Sequence, residues 1–297
     1  MPQTGLVVTS HGRHVMVEAT DGARILCHPR AKKNQALVGD QVVWSTTGDE
    51  GSIDSISPRR NVLYRQDELR TKSFAANLDG VLLMLAAEPE FSETQLTRSL
   101  IACEMAGIQA WIALNKSDLT VAFDRAWHRL QAYRDMGLKV IALCLKGNAM
   151  GLGDVMAQLQ GKLTLILGPS GVGKSSLLNH LVPNAQAQTG EISQALNSGK
   201  HTTTHSSLHW VNRSNGTGLI DSPGFQSFGL HHVQPAQLAA AMPDMKAHMG
   251  DCKFHNCTHL HEPGCAVKNA LEQGQISLNR YRIYKQLMAE ISAPTKW

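Results

Sequence analysis

Residues 168–175, which read Gly-Pro-Ser-Gly-Val-Gly-Lys-Ser, could bind the phosphates of a nucleotide. They fit the pattern G-x-x-x-x-G-K-[ST], in which glycines let successive backbone N–H groups point at phosphate oxygens. A short apolar run precedes the segment, and residues 176–181 read as the opening of a helix, whose N-terminus adds partial positive charge. Lys174 is expected to reach the outer phosphates and the Ser175 hydroxyl a magnesium ion. The alternative is a glycine-rich turn that binds nothing, which the Lys-Ser pair and the preceding strand disfavour.

Asn115, Lys116, Ser117 and Asp118 follow an apolar run and match the N-K-x-D pattern with which GTPases read guanine. The Asp118 carboxylate can accept hydrogen bonds from guanine N1–H and from the exocyclic amine, a donor pair that adenine lacks. Asn115 and Lys116 would brace the loop and cover the base. Alone, this tetrapeptide of ordinary loop residues is a weak signal. Beside a phosphate-binding loop it indicates a guanine nucleotide.

Two later segments could bind magnesium and the terminal phosphate. Residues 199–204 contain a threonine run, from which Thr203 is expected to ligate magnesium, although a plain polar loop explains this segment equally well. Residues 221–224, Asp-Ser-Pro-Gly, match D-x-x-G, in which Asp221 lies near magnesium and the Gly224 N–H contacts the terminal phosphate. The predicted magnesium ligands are Ser175, Thr203 and Asp221. The residues predicted to contact GTP or GDP are Asn115, Lys116, Ser117, Asp118, Gly168, Pro169, Ser170, Gly171, Val172, Gly173, Lys174, Ser175, Ser176, Asp221 and Gly224.

The residue after the D-x-x-G motif bears on the rate of hydrolysis. Phe225 stands where many GTPases carry a glutamine that orients the attacking water. An apolar ring cannot orient water, so we expect slow intrinsic hydrolysis unless another group or a partner contributes.

A second kind of chemistry is indicated near the C-terminus, where cysteines and histidines crowd together. Cys252, Cys257 and Cys265 lie within fourteen residues, together with several imidazoles. Tetrahedral zinc favours sets of three thiolates and one imidazole, and the metal cross-links a segment with little core. Four protein ligands leave no open position, so we predict one structural zinc; free cysteines are the alternative, which the close spacing disfavours. The candidate histidines are His248, His255, His259 and His261.

The elements that must position these residues form three predicted domains. Residues 1–68 hold five short β-prone runs with an Asp-Gly turn, which suits an OB-like barrel; its basic residues favour RNA binding and plain solvated charge equally. Residues 69–231 alternate apolar strands with helices, one opened by a capping box at residues 92–95 and another over about 124–136. This alternation predicts a largely parallel α/β sheet.

Residues 232–297 are predicted to form the zinc-binding, mainly helical domain. A helix over about residues 277–288 carries basic side chains beside tyrosines, a pattern that suits RNA contact, although a solvated face explains it at least as well. The side chains in question are Arg280, Tyr281, Arg282, Tyr284 and Lys285.

The order of the nucleotide motifs is unusual, because the base-reading motif precedes the phosphate-binding loop. Ordinary GTPases have the reverse order, so the domain reads as circularly permuted. With a β domain before it and a cysteine cluster behind it, the chain resembles the RsgA (YjeQ) family of small-ribosomal-subunit biogenesis GTPases over nearly its whole length. The resemblance implies hydrolysis of GTP to GDP and phosphate, stimulated by the small ribosomal subunit, with both flanking domains contacting ribosomal RNA.

The same resemblance implies roles for individual residues. It selects His259 as the histidine of the zinc site. It also implies that His201, just before the threonine run, acts catalytically on the attacking water, and a loop histidine without that role is the alternative. At the fifth GTPase motif the chain departs from the pattern, since Cys144 and Leu145 replace the usual Ser-Ala pair behind the guanine. We expect altered affinity rather than lost specificity.

Composition sets the broader limits. The chain has 297 residues, 42% hydrophobic and 18% charged, with a formal charge of +4, which permits an anionic partner without requiring one. No apolar run reaches membrane-spanning length and no signal peptide is visible, so we expect a cytoplasmic protein with no membrane partner, and a monomer. The rival functions are a P-loop ATPase or nucleotide kinase, and an RNA-binding module that holds its nucleotide as a fixed cofactor.

Overall fold

The computed structural model of the chain describes residues 2–11, 14–29, 35–48, 50–67, 70–182, 206–222, 230 and 233–293. Within these ranges lie an N-terminal β-barrel, a central sheet with helices on both faces, and a C-terminal helical region that contains the cysteine cluster. The predictions for some residues lie outside the described ranges and stay predictions. These residues are His201, Thr203, Gly224 and Phe225.

Five strands form the N-terminal barrel. They pair in the order β1-β2-β3-β5-β4, and β1 also pairs with β4, which closes the barrel. This is the strand order of an OB-like barrel, as predicted. Its interior is a separate apolar cluster that includes Val7, Val17 and Trp44. The strands are β1 (Gln3–His11), β2 (His14–Ala19), β3 (Arg24–Pro29), β4 (Gln41–Thr47) and β5 (Glu50–Ile56).

A hairpin that the sequence analysis missed follows the barrel. Strands β6 (Val62–Asp67) and β7 (Arg70–Ala76) pair antiparallel and form a sheet of their own. Neither a glycine nor a proline marks the turn between them, and their facing ends are polar, so no turn signal or apolar alternation revealed the pair. The proposed domain boundary after residue 68 therefore falls between two paired strands.

The central sheet is parallel in its main part, as predicted. Its parallel strands lie in the order β10-β9-β8-β11-β13, and every residue of β8 is buried, as expected for a strand covered on both faces. An antiparallel strand, β12 (Ser206–Asn212), which was not predicted, pairs with β13. The parallel strands are β8 (Gly80–Ala86), β9 (Gln109–Asn115), β10 (Val140–Ala142), β11 (Leu163–Leu167) and β13 (Thr217–Asp221).

Two layers of helices cover the central sheet. Leu96 of α1 and Tyr133 of α3 share one apolar cluster with Leu83, whereas Val155 of α4 and Leu177 of α5 share the opposite cluster with the neighbouring strand residues. The odd and even side chains of the buried strands therefore pack against different helices. The helices are α1 (Glu93–Met105), α2 (Thr120–Arg129), α3 (Gln131–Asp135), α4 (Leu152–Leu159) and α5 (Lys174–Leu181).

The local predictions for these helices differ in outcome. Ser92 caps α1 as expected, since its side chain accepts a hydrogen bond from the Gln95 N–H at 3.3 Å. The single helix predicted over residues 124–136 was wrong in extent. It begins at Thr120 and is divided into α2 and α3 at Leu130, where ψ rises to 3°.

Barrel and central sheet are joined by backbone pairing. Strand β1 pairs antiparallel with β12, so that the strands of both form one eleven-stranded sheet. The buried Glu18 carboxylate fixes the joint from the barrel side. It accepts hydrogen bonds from Trp210 Nε1 at 2.8 Å and Arg24 Nε at 2.9 Å, and it pairs with Arg213 Nε at 3.1 Å. The barrel is therefore held in one orientation against the sheet.

The C-terminal region is mainly helical, as predicted, and packs on α1. Its longest helix extends four residues beyond the predicted end, to Ser292. Side chains from this helix reach α1, where Arg98 pairs with Glu290 and Asn279 donates to Glu93 at 2.8 Å. The helices are α6 (Pro235–Leu238), α7 (Pro243–Lys246), α8 (Ala266–Glu272) and α9 (Leu278–Ser292), with a short 3-10 turn at Met249–Asp251.

Neither interpretation of the α9 pattern, RNA contact or a solvated face, holds for three of its residues. Arg280, Tyr281 and Tyr284 are buried, and only Arg282 and Lys285 of the set are exposed. These side chains are buried because α9 packs against α7 and α1. The hydrogen-bond partners of Arg280 lie on those two helices, which are distant in sequence, so the pattern of α9 alone did not reveal the burial. Its guanidinium donates to both oxygens of Asp244 at 2.9 Å and to Thr97 Oγ1 at 2.7 Å.

Replacing Arg280 by methionine is expected to destabilise the protein by about 3–5 kcal/mol. The Asp244 side chain is only 7% exposed, and the substitution would leave its charge buried without a partner. Urea unfolding followed by circular dichroism measures the change. The exposed neighbour on the same helix gives the matched control, Arg282→Met, which should shift stability by less than about 0.5 kcal/mol. Equal stability of Arg280→Met and wild type would contradict the expectation.

Candidate nucleotide and zinc sites

All of the predicted nucleotide motifs in the described residues lie at one edge of the central sheet. The guanine motif begins at the last residue of β9, the phosphate loop directly follows β11, and Asp221 is the last residue of β13. Because these strands are parallel, their carboxyl ends share that edge. This is where ligands bind in open α/β sheets.

The phosphate-binding loop has the geometry that its glycines require. Gly173 has φ +106°, and a Cβ there would lie 2.4 Å from Asn115 Nδ2. A Cβ on Gly168 would lie 2.3 Å from the carbonyl oxygen of Met84 on β8. Neither position has space for a Cβ atom. At Gly173 the positive φ also disfavours any residue other than glycine. Helix α5 begins at Lys174, so its first N–H groups face the loop, while Ser170, Gly171, Ser175 and Ser176 are exposed to solvent.

Asn115 ties the base-reading motif to the phosphate loop. This residue is 4% exposed, and its Nδ2 donates to the Val172 carbonyl at 2.8 Å. Its Oδ1 accepts from the Leu145 N–H at 3.3 Å, which brings in the loop after β10. The Asn115 side chain therefore connects three loops. The two motifs that it joins, the base-reading motif and the phosphate loop, are more than fifty residues apart in sequence. The sequence predicted that Asn115 braces the site, but not these partners.

The remaining residues of the guanine motif form a turn beside β10. Ser117 N–H donates to the Leu143 carbonyl at 3.1 Å, and Lys116 has φ +65° and donates from Nζ to the Glu88 carbonyl at 2.6 Å. The Asp118 side chain faces the loop after β10, with Oδ1 3.7 Å from Cys144 Sγ and Oδ2 3.8 Å from Lys146 Nζ. The carboxylate is held at the mouth of the site.

Lys174 and Asp221 place opposite charges at the phosphate end. The Lys174 ammonium donates to the carbonyls of Gly168 and Pro169, both at 2.8 Å. Burial lowers the pKa of Lys174, and the attraction of the nearby Asp221 carboxylate opposes that shift. Asp221 is buried at the end of β13, and its Oδ1 accepts from the Ser222 N–H at 2.9 Å. A carboxylate and a serine hydroxyl are hard oxygen donors, which fit magnesium.

The predicted zinc ligands come together in one cluster. One donor atom from each of Cys252, Cys257, His259 and Cys265 lies within 4.8 Å of all the others. His259 Nδ1 is 3.5 Å from the sulfurs of Cys252 and Cys265. Zinc bonds of about 2.0–2.3 Å in a tetrahedron separate neighbouring ligand atoms by about 3.5–3.8 Å, so the cluster fits zinc. Among the described residues, His259 rather than the other candidate histidines completes the group.

Buried tyrosines of α9 hold the loop that carries His259. The Tyr281 hydroxyl donates to the His259 carbonyl and the Tyr284 hydroxyl to the Thr258 carbonyl, both at 2.7 Å. Glu262 closes the same loop, because its carboxylate accepts from the Thr258 N–H at 2.8 Å and from the Thr258 hydroxyl at 2.6 Å. These two tyrosines, for which the sequence left RNA contact and a solvated face open, therefore position the loop of the metal cluster.

Removing zinc is expected to unfold the loop that carries the cysteine cluster, while the helices of the C-terminal region keep their own apolar core. The cluster loop contains little apolar core, so metal binding supplies much of its folding free energy. Metal analysis should find one zinc per chain, and treatment with a strong chelator should lower the thermal midpoint and expose the Cys252, Cys257 and Cys265 thiols to a thiol reagent. Cys257→Ser should lose the zinc, whereas the matched control Cys144→Ser should retain it. A full zinc content in Cys257→Ser would contradict the assignment.

The fold and the site together define a circularly permuted GTPase, with the base-reading loop preceding the phosphate loop in the chain. Residues 56–231 match the profile of the RsgA GTPase family. The chain is 59% identical over 293 residues to the protein named small ribosomal subunit biogenesis GTPase RsgA of Variovorax paradoxus, covering 97% of this chain and 92% of that one. It is 47% identical over 290 residues to the protein of the same name from Bordetella pertussis, covering 97% and 96%.

Two solved structures share the whole architecture. The crystal structure of YloQ, described as a circularly permuted GTPase, gives a TM-score of 0.73 at 30% identity, covering 98% of this chain and 95% of that one. YjeQ from Thermotoga maritima gives 0.77 at 27% identity, covering 98% and 99%. The chain belongs to the RsgA GTPase family, and it is accordingly a GTP hydrolase. Among its described helices, none combines the length and the apolar character needed to cross a membrane.

Proposed function

We propose that this GTPase acts in late maturation of the small ribosomal subunit, binding ribosomal RNA and hydrolysing GTP to GDP and phosphate under stimulation by the subunit. The observation that carries the nucleotide half of the proposal is the bond from Asn115 Nδ2 to the Val172 carbonyl, which joins a base-reading loop to a phosphate loop. The relatives named for small ribosomal subunit biogenesis support the other half.

The triphosphate lies along residues 168–176 in this proposal. The N–H groups of the loop and of the first turn of α5 donate to its oxygens, and the helix N-terminus favours the negative charge. Lys174 exchanges its two carbonyl partners for phosphate oxygens, which carry full charge and are stronger acceptors. Asp118 accepts from the guanine N1–H and amine, and Asn115 holds that loop against Val172.

Magnesium, when bound, neutralises charge on the β- and γ-phosphate oxygens. Ser175 and Asp221 lie at the sheet edge where they would hold it, and Thr203 is the proposed third ligand. His201 is proposed to orient the attacking water, because Phe225 follows the D-x-x-G motif and cannot. Catalysis then consists of positioning and charge neutralisation, and it remains slow until the subunit completes the site.

The ribosomal RNA contacts are proposed for the two flanking domains. On α9 the exposed cations are Arg282 and Lys285, and Phe254 beside the zinc cluster is a partly exposed aromatic ring with Lys253 Nζ 5.6 Å from its centroid. Such a pair can stack on a base and neutralise a phosphate. The described arginines of the barrel are less available. Arg24 binds Glu18 and Arg59 binds Asp40, whereas the Arg60 side chain, which pairs with Asp79, is 62% exposed and is the described arginine of this domain that is most open to RNA.

The domain limits proposed from the sequence are residues 1–68, 69–231 and 232–297. The family profile begins at residue 56, ahead of the proposed GTPase boundary. The first limit, after residue 68, cuts the β6–β7 hairpin. A fragment that keeps this hairpin whole must therefore end before β6 or after β7.

One experiment tests the proposal most directly. Hydrolysis of GTP and of ATP is measured for the full chain with and without purified small subunits, and with large subunits as the matched control. We expect slow GTP hydrolysis alone, at least about tenfold stimulation by small subunits only, and no appreciable ATP hydrolysis. Stimulation by neither subunit would contradict the ribosomal role, and equal use of ATP would contradict the guanine site.

A further inference from the structure

One cross-strand row of polar residues joins the barrel to the phosphate end of the nucleotide site. Ser207 of β12 lies directly opposite Thr9 of β1 on one side and directly opposite Asp221 of β13 on the other. Directly opposed residues of antiparallel strands point to the same face of a sheet, with Cβ atoms about 4.5–5.5 Å apart. Thr9, Ser207 and Asp221 therefore form a polar row with the serine in the middle.

This polar row faces helix α5. Leu219, two residues before Asp221, belongs to the same apolar cluster as Leu177 of α5, and side chains two residues apart in a strand share a face. Burial lowers the pKa of Lys174, the first residue of α5, and the Asp221 carboxylate is near enough to oppose that shift. The two hydroxyls of the row therefore lie on the face of the sheet that carries the phosphate end of the site.

The Thr9 hydroxyl is buried without a hydrogen-bond partner among the described residues. Thr9 is 0% exposed, and its Oγ1 forms no hydrogen bond with any residue that the structure describes. A buried hydroxyl without a partner costs free energy. Valine has nearly the same shape and would avoid that cost. The hydroxyl therefore points to a hydrogen bond that is made when magnesium and nucleotide bind.

The Ser207 hydroxyl can connect the two ends of the polar row. It is half-buried, and by rotating about its Cα–Cβ bond it can accept from Thr9 and donate to Asp221. A carboxylate offers about four acceptor positions, so Asp221 can take this donor beside the Ser222 N–H, which donates to Oδ1 at 2.9 Å, and still bind a metal. Hydrogen bonds of this kind orient the carboxylates that bind metals and tune the metal affinity.

We propose that Thr9 and Ser207 are positioning residues for magnesium binding: the Thr9 hydroxyl donates to Ser207, and the Ser207 hydroxyl donates to Asp221 and orients its carboxylate for the metal. The inference rests on the proposed assignment of Asp221 to magnesium. The barrel thereby supplies one end of a hydrogen-bond chain to the GTPase site. The pairing of β1 with β12 then has a role in metal binding as well as in holding the barrel against the sheet.

Strand β11 offers a matched control for Thr9. Thr164 is also 0% exposed, and its Oγ1 likewise lacks a hydrogen-bond partner in the part of the chain that the structure describes. It pairs with Leu219, two residues before Asp221, and so lies outside the polar row. Thr164→Val therefore removes the same hydroxyl from a comparably buried strand position without changing the row.

The first test measures metal binding to the GDP complex of the full, zinc-loaded chain, with Mn²⁺ as the probe and electron paramagnetic resonance as the readout. Ser207→Ala is expected to weaken Mn²⁺ binding about tenfold, and Thr9→Val about three- to tenfold. Thr9→Ser keeps the hydroxyl and should recover most of the loss, and Thr164→Val should bind Mn²⁺ as wild type does. In a Ser207→Ala background, Thr9→Val should change the affinity by less than about twofold, because its partner is absent.

Two results of the Mn²⁺ titration would overturn the inference alone. One is wild-type affinity in Thr9→Val, and the other is an equal loss of affinity in Thr9→Val and Thr164→Val. Wild type that binds no Mn²⁺ in its GDP complex would overturn the assignment of Asp221 to magnesium, and the inference with it.

A second test uses urea unfolding to separate positioning from folding. Without nucleotide, Thr9→Val should be at least as stable as wild type, because the removed hydroxyl has no partner among the described residues. The added stability from GDP with magnesium should be smaller in Thr9→Val than in wild type, whereas the added stability from GDP in magnesium-free buffer should be equal. A variant that loses stability without nucleotide, but gains as much as wild type from GDP with magnesium, would show a structural role and overturn the inference.

Discussion

Asp118→Asn is expected to change the base preference of the protein from guanine to xanthine. Guanine presents two donors to the carboxylate, whereas xanthine carries a carbonyl in place of the exocyclic amine. An amide offers one acceptor and one donor, which match xanthine and leave the guanine amine facing another donor. We expect GDP binding to fall at least about 100-fold and xanthosine diphosphate binding to rise above it.

Competition titrations with the two diphosphates measure this change. Asp124→Asn, an exposed aspartate on α2, is the matched control and should bind GDP as wild type does. A gain of xanthosine diphosphate binding would show that Asp118 reads the base and that the variant is folded, because a misfolded site would not bind a new nucleotide. An Asp118→Asn protein that still prefers GDP would show that another residue reads the base.

Lys174→Ala is expected to lower GTP hydrolysis at least about 100-fold. The ammonium lies beside Asp221 and already bonds to two carbonyls of the loop, so it is positioned to bind phosphate oxygens without searching for a rotamer. Its removal takes away a charge and two charge-assisted hydrogen bonds at once. Binding of guanosine, which has no phosphates, should be unaffected, because the guanine loop is held separately by Asn115.

Single-turnover hydrolysis with saturating small subunits is the measurement for Lys174→Ala. Lys139→Ala is a matched control, since Lys139 is exposed just before β10, at the opposite edge of the sheet. Circular dichroism checks that the loop's lost hydrogen bonds do not unfold α5. Hydrolysis at the wild-type rate would remove the phosphate loop from the proposed mechanism.

The common position of the candidate nucleotide motifs at one sheet edge was predictable because their signals are local. Each motif is a short run of residues that directly follows an apolar strand, and parallel strands bring their ends to one edge. Local sequence patterns do not identify the hydrogen-bond partner of each side chain. The bonds of Asn115 to Val172 and Leu145 join segments far apart in sequence, and no periodicity encodes them.

The same limit explains the errors on α9. A helix with arginines and tyrosines reads alike whether it faces RNA or a protein core. Arg280 can be buried because its guanidinium donates to Asp244 and Thr97, which lie on two other helices. Spacing alone leaves the four histidines of the zinc segment equivalent, and His259 was selected by the family resemblance; in the described residues it is His259 that joins the cysteine cluster.

The pairing of β1 with β12 determines the order in which parts of the fold can form during synthesis. One edge of β1 is shared, with residues 3–6 paired to β4 and residues 9–10 paired to β12. A nascent chain can close its barrel early, but the second part of that edge stays unpaired until residues 206–212 emerge, nearly two hundred residues later. Only Thr9 and Ser10 of β1 wait for β12. The barrel can therefore close on its own, whereas its joint to the central sheet forms only after most of the GTPase domain has been synthesised.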